Sequence, residues 1–125
     1  MPLEKQIIDH PPFGAVSKTV RAGDFLFVSG QGGFLPGTRV LPGEDFESEA
    51  RQAFENLKSC LEHAGSSMDD VVKVVTWLAD ASQFMVLNEL FDEYFAVDPP
   101  ARSSPIIELP MGLRLSVEAT AIYRG

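Results

Sequence analysis

The sequence predicts an α+β fold, a mixed sheet with two helices packed on one of its faces, and three patterns carry that prediction. Apolar residues recur at spacings of three and four over residues 50–64 and again over 84–95, as on the buried stripe of a helix. Over residues 113–123, Leu113, Leu115, Val117, Ala119 and Ala121 alternate with Arg114, Ser116, Glu118 and Thr120, the period of two of a half-buried strand. The segments run in the order strand, strand, helix, strand, helix, strand, strand. The 125 residues suit one domain over 1–125, with no internal repeat and no linker.

Taken in order, residues 2–12 read as an irregular lead-in. Two extended runs at 16–21 and 25–29 flank the turn-forming Ala22-Gly23-Asp24 and make a hairpin. Gly30-Gln31-Gly32-Gly33, Pro36-Gly37 and Pro42-Gly43 are too rich in breakers for regular structure and make a long loop. The first helix spans 47–64: Ala50, Ala53, Phe54, Leu57, Leu61 and Ala64 share a face. Glu44, Asp45, Glu47 and Glu49 crowd the positive end of its dipole, and Gly65 stands where a left-handed residue ends a helix. Residues 71–78 form a β-branched run dense enough for a buried central strand. Asp80 or Ser82 caps the second helix, at 84–95, with Phe84, Leu87, Phe91 and Phe95 as its stripe and Pro99-Pro100 beyond its end. A short strand at 106–109, the turn Pro110-Met111-Gly112 and the alternating strand complete the sheet. Helices with one apolar stripe cover one sheet face only, which predicts that copies of the chain associate over part of the other.

Composition removes several functions. Acids outnumber bases 18 to 10, for a formal charge of −8, and a surface of that sign repels phosphate backbones and anionic lipid. Neither nucleic acid nor a membrane is an expected partner. No stretch approaches the roughly 18 apolar residues of a membrane span, and no charged and then apolar leader opens the sequence. Cys60, the single cysteine, excludes an intrachain disulfide framework and fits a reducing interior, so a cytoplasmic location is expected.

Familiar catalytic signatures fail on spacing. Leu35 stands where a dinucleotide fingerprint opening at Gly30 needs its third glycine, and Pro36 prevents a helix from starting there. Phe27 and Gln31 stand where a nucleophile elbow around Ser29 needs glycines, so a serine bonding the loop backbone is the better reading. Cys60 and His63 lie three apart on the first helix, but beside Leu57 and Leu61, whereas reactive thiolates take exposed electropositive positions. His10 and His63 are too scattered for a metal site, and neither metal nor cofactor is expected. There remains Pro99-Pro100-Ala101-Arg102-Ser103-Ser104-Pro105. A guanidinium braced by prolines offers paired donors and a permanent charge to a planar carboxylate. An ion pair with one of the chain's own acids is the other reading, and spacing leaves both open.

Taken together, Val28-Ser29-Gly30-Gln31, Asn56-Leu57, Ala64-Gly65, Val72-Lys73, Leu78-Ala79-Asp80, Phe84, Asn88, Phe95, Pro100-Ala101-Arg102-Ser103 and Leu109-Pro110 resemble the RidA/YjgF family of reactive intermediate deaminases. The similarity covers residues 14–121, in the family's order. The resemblance implies a chorismate-mutase-like subunit and a homotrimer with ligand sites in the clefts between subunits. It also implies hydrolysis of small carboxylate-bearing enamines or imines, such as 2-aminoacrylate, to 2-oxo acids and ammonia without metal or cofactor. Carried over, Arg102 is the carboxylate anchor, and Ser29, Gly30, Asn88 and Ser104 line the substrate site, Ser104 in place of a common cysteine.

The departures from the family pattern bear on catalysis. Gly14-Ala15-Val16-Ser17 stands where members commonly carry G-P-Y-S, so the tyrosine hydroxyl is absent. One residue fewer separates Arg102 from Pro110, and the family's water-activating glutamate falls on Ser116. Ser116 lines the site but is no carboxylate base. Glu118, two residues on and on the same side of the strand, is the candidate to act beside Arg102; a solvated or ion-paired surface glutamate is its other reading. Two functions are open: a deaminase, or, as Ser116 and Val16 suggest, a non-catalytic protein that holds a metabolite carboxylate as a sensor or partner. The ribonuclease activity described for some members ranks below both at a charge of −8.

Overall fold

A computed structural model describes residues 3–8 and 16–125. The alternating C-terminal segment becomes the centre of its sheet. That strand, β6 (Leu115–Ile122), turns Leu115, Val117, Ala119 and Ala121 into the core and keeps the residues between them half-buried. It pairs antiparallel with β3 (Phe25–Gly32) on one side and with β4 (Val71–Leu78) on the other. Beyond β3 lie β2 (Thr19–Ala22) and β1 (Lys5–Ile7), both antiparallel; beyond β4 lies β5 (Ala101–Ser103), parallel to it. The order across the sheet is β1-β2-β3-β6-β4-β5.

Two helices cover one side of this sheet. The first, α1 (Phe46–His63), buries Phe46, Ala50, Ala53, Phe54, Leu57, Cys60 and Leu61, and the second, α2 (Phe84–Tyr94), buries Leu87, Leu90 and Phe91. Leu26 and Val28 of β3, and Val74 and Leu78 of β4, meet them from below. Phe54 ties the layer together, with Phe91, Tyr94 and Phe95 ring centroids 6.4, 5.0 and 6.3 Å from its own. Asp45 caps α1 by accepting the Ser48 N–H at 2.9 Å, and that bond holds its carboxyl below the usual range. At the other end Gly65 takes a φ of +77°, which lets Ser66 N–H reach back to Leu61 O at 2.9 Å and closes the helix.

The opposite face is open. Phe25 and Phe27 are 44% and 48% exposed, and Val72 is 40% exposed. So β4, though interior, is buried on its helix side only, and not on both faces as its density of β-branched residues predicts.

Three further elements differ from the sequence reading. The lead-in contributes β1, which the prolines around it hide. Residues 2 and 9–12, His10 among them, and Gly14-Ala15 lie outside the described residues. The second strand runs on through Gly30-Gln31-Gly32, because β6 supplies a ladder and a bulge between Val28 and Gln31 absorbs the irregularity. The strand expected at 106–109 lies instead at Ala101–Ser103. Pro105 has no N–H to continue the ladder, and Ile106 keeps a single bridge to Leu78.

Candidate functional site

The edge strand β5 decides where Arg102 points. Its register sets Arg102 beside Val74, which is fully buried on the helix side, while Ala101 and Ser103 stand beside Lys73 and Val75. Alternation then turns Arg102 toward α2. Phe84, Asn88 and Phe91 are spaced i, i+4 and i+7, so they share one face of α2. Arg102 Nη2 donates to Asn88 Oδ1 at 2.7 Å, and the guanidinium carbon lies 4.6 Å from the centroid of the Phe91 ring and 5.5 Å from that of Phe84. These contacts fix the plane of the fork. Among the described residues no carboxylate forms an ion pair with it. Partial burial pushes the Arg102 pKa down from its ordinary value, and the field of Asp92 opposes that; a guanidinium remains charged at neutral pH. The chain thus holds a half-buried cation on neutral partners.

Arg114 makes the contrast. Its Nε donates to Glu49 Oε1 at 2.7 Å, and the Arg114 and Leu115 amides donate to Glu49 Oε2 at 2.7 and 3.3 Å. Glu49 is fully buried and satisfied on both oxygens. Its charge at a helix start suggests only a dipole acid, yet its place three residues after Phe46 and four before Ala53 sets it on the buried stripe.

The remaining candidates fall into two groups. Ser104, two residues beyond Arg102, accepts the Thr76 hydroxyl at 2.8 Å on the same side of the sheet. Ser116 and Glu118 lie on the open face instead, opposite Trp77 and Val75 in register. Glu118 is half-buried and forms no ion pair among the described residues; Trp77 Nε1 donates to its Oε1 at 2.6 Å. Gly30 packs against Ser116: a Cβ there would lie 2.6 Å from Ser116 Oγ, so that hydroxyl would have to turn aside. Ser29 Oγ donates to Ser17 O at 2.7 Å, the backbone bond its sequence setting suggests. Within one chain, then, the fold joins Arg102, Asn88 and Ser104, and keeps Ser116 and Glu118 on the other face of the sheet. Phe84, Phe91 and Thr76 belong with Arg102, though their apolar or β-branched runs mark them only as core.

Among the described residues no cluster of three or more His, Cys, Asp or Glu side chains is placed to hold a metal. Among the described residues no helix is long and apolar enough to cross a membrane. Two surface hollows lie away from Arg102, one on α1 lined by Glu55, Lys58, Ser59, Glu62 and His63, the other beside β1 and Arg21.

Sheet order and helix placement define the chorismate-mutase-like class of α+β domain. Comparison with known proteins narrows this. A family model described as Endoribonuclease L-PSP matches residues 7–123. A RutC family protein of Pyrococcus horikoshii is 39% identical over 111 residues, 88% of each chain. A 2-iminobutanoate/2-iminopropanoate deaminase of Dermatophagoides farinae is 34% identical over 123 residues, covering 94% of this chain and 96% of that one. Among solved structures, the yeast protein YEO7 superposes with a TM-score of 0.91 at 32% identity over 97% of this chain and all of its own. E. coli TdcF with bound serine superposes with a TM-score of 0.83 at 29% identity over 96% of both chains. The chain belongs to the RidA/YjgF family.

Proposed function

We propose that this protein hydrolyses small 2-imino acids and their enamine tautomers to 2-oxo acids and ammonia. The observation that carries the reading is Arg102, a half-buried guanidinium held by Asn88 and Phe91 with no ion pair among the described residues. A fixed fork without an ion-paired carboxylate among the described residues is suited to a substrate carboxylate, which it meets with two parallel N–H···O bonds. A relative named for 2-imino acid deamination and a neighbour with serine bound support the same substrate class.

In the reaction, water adds to the carbon of the C=N bond while the nitrogen takes up a proton; the resulting carbinolamine expels ammonia and leaves the 2-oxo acid. Nothing in this sequence of steps needs a metal or an organic cofactor. Arg102 orients the substrate and offsets its charge, contributions of positioning and electrostatics. The proposed assembly is a homotrimer with each site between subunits, where the Arg102 side of one chain meets the open face of the next. Such a site admits Ser29, Gly30, Ser116 and Glu118 alongside Arg102, Asn88 and Ser104, with Glu118 as the carboxylate available to activate water. The formal charge of −8 argues against RNA as the substrate.

The test generates 2-aminoacrylate or a 2-imino acid with an amino-acid lyase or oxidase and tracks its decay. The protein accelerates decay and Arg102→Ala abolishes most of the acceleration. Decay at the buffer rate for several amino-acid precursors contradicts the reading. A second reading, a protein that binds metabolite carboxylates without turnover, is favoured by the separation of Glu118 from Arg102 on opposite sheet faces of one chain. Binding of 2-oxo acids in calorimetry, lost in Arg102→Ala, with no imine turnover, selects it.

A further inference from the structure

Thr76 comes two residues after Val74 on β4, as Ser104 comes two after Arg102 at the end of β5. The parallel ladder that sets Arg102 beside Val74 therefore sets Ser104 beside Thr76, on the same side of the sheet. The flanking residues of β4 on that side, Val74 and Leu78, are apolar and fully buried, as Thr76 itself is. Packing alone would be met there by a valine of the same shape, with no hydroxyl to desolvate.

The Thr76 hydroxyl lies 2.8 Å from Ser104 Oγ and 3.4 Å from the Ser103 carbonyl oxygen. A threonine has one proton to donate, and the shorter contact has the length of a well-formed O–H···O bond. With Thr76 as its donor, this bond fills an acceptor site of Ser104 and leaves the Ser104 proton for another partner. Among the described residues the Ser104 hydroxyl donates to nothing, and the residue is only half-buried.

We propose that Thr76 is a positioning residue of the Arg102 site, its buried hydroxyl orienting Ser104 so that the Ser104 proton is presented to the carboxylate that Arg102 holds. The inference rests on Arg102 being a carboxylate anchor and adds to it a second donor, fixed from beneath by a hydroxyl that touches no ligand itself. Ser104 and Arg102 then bind the carboxylate together, and Thr76 acts only through Ser104.

Calorimetry with pyruvate, on the full chain in its native assembly, tests this in wild type, Arg102→Ala, Thr76→Val, Thr76→Ser, Ser104→Ala and the Thr76→Val/Ser104→Ala double variant. A hydrogen bond to a charged group predicts that Thr76→Val and Ser104→Ala each weaken binding by about tenfold. Thr76→Ser restores the wild-type affinity, and the double variant binds no more weakly than Ser104→Ala alone. With imine as substrate, Thr76→Val raises KM and Thr76→Ser restores it, as expected for a residue that acts through substrate binding. Thermal melting separates a structural role: a lower Tm in Thr76→Val with unchanged affinity overturns the proposal. Should Thr76→Val fail to fold, Ser104→Ala decides, and wild-type affinity there overturns it. Binding lost in Arg102→Ala but intact in Thr76→Val refutes the role of Thr76 and leaves the carboxylate reading standing; no pyruvate binding by the wild type refutes both.

Discussion

A charge drawn into a fold needs partners, and two arginines meet that need in opposite ways. Arg114 is matched by the buried Glu49 carboxylate, which also accepts two backbone amides. Arg102 has an amide oxygen and an aromatic face in place of an anion. The first is architecture, since it pins the start of α1 to the start of β6. Glu49→Gln removes the buried charge that Arg114, itself about a third exposed, and two backbone amides bond to, so it is expected to cost about 1.5–3 kcal/mol in urea denaturation, the scale of a hydrogen bond to a charged group. A loss below about 1 kcal/mol, the scale of an exposed pair, contradicts that role. Arg102 was legible in the sequence because a lone cation among three prolines stands out. Asn88 was legible only through the family resemblance. Glu49 was not read, because acids at a helix start have a sufficient explanation in the dipole, and only its spacing from Phe46 and Ala53 betrays burial.

The helices were the most readable elements and the short edge strands the least. The stripe and caps of α1 are local in sequence, and the helix lies within a residue of its expected bounds. β1 and β5 have three residues each, too few to display a period, and their pairing is dictated by neighbours distant in the chain. The long β3 shows the same dependence: glycines that break a strand in isolation are tolerated where β6 completes the ladder. The join between the helices carries a pH signature. Tyr94 stacks on Phe54 and donates its hydroxyl to Glu55 Oε2 at 2.6 Å. Burial, and next the bond to Glu55, raise its pKa from 10.0 to about 12. An unfolded tyrosine ionises first as pH rises, so the contribution of Tyr94 is whole below pH 10 and disappears as pH climbs through about 12. Urea midpoints measured across that window fall for the wild type and fall less steeply for Tyr94→Phe. Parallel slopes for the two proteins contradict the assignment.

At the scale of the whole molecule, the open sheet face and the two-sided distribution of candidate residues point the same way. Phe25, Phe27 and Val72 give one chain an exposed apolar surface that water alone covers poorly. The uncovered face was legible from helices with single stripes, whereas the expected number of subunits comes only with the family resemblance, because no residue pattern encodes a rotation axis. Light scattering is expected to find a particle of three chains of 13.7 kDa, and Phe27→Lys, which places a charge on the open face, is expected to release single chains. A wild type that runs as a monomer contradicts the proposed assembly. The proposed function turns most on Arg102 gripping a substrate carboxylate at a site that two subunits would complete. A crystal structure of the protein soaked with pyruvate tests this most directly. The expected result is the carboxylate forked by Arg102 through two N–H···O bonds of about 2.8 Å, with the open face of a neighbouring chain closing over it; pyruvate bound away from Arg102, or held wholly within one chain, would contradict it.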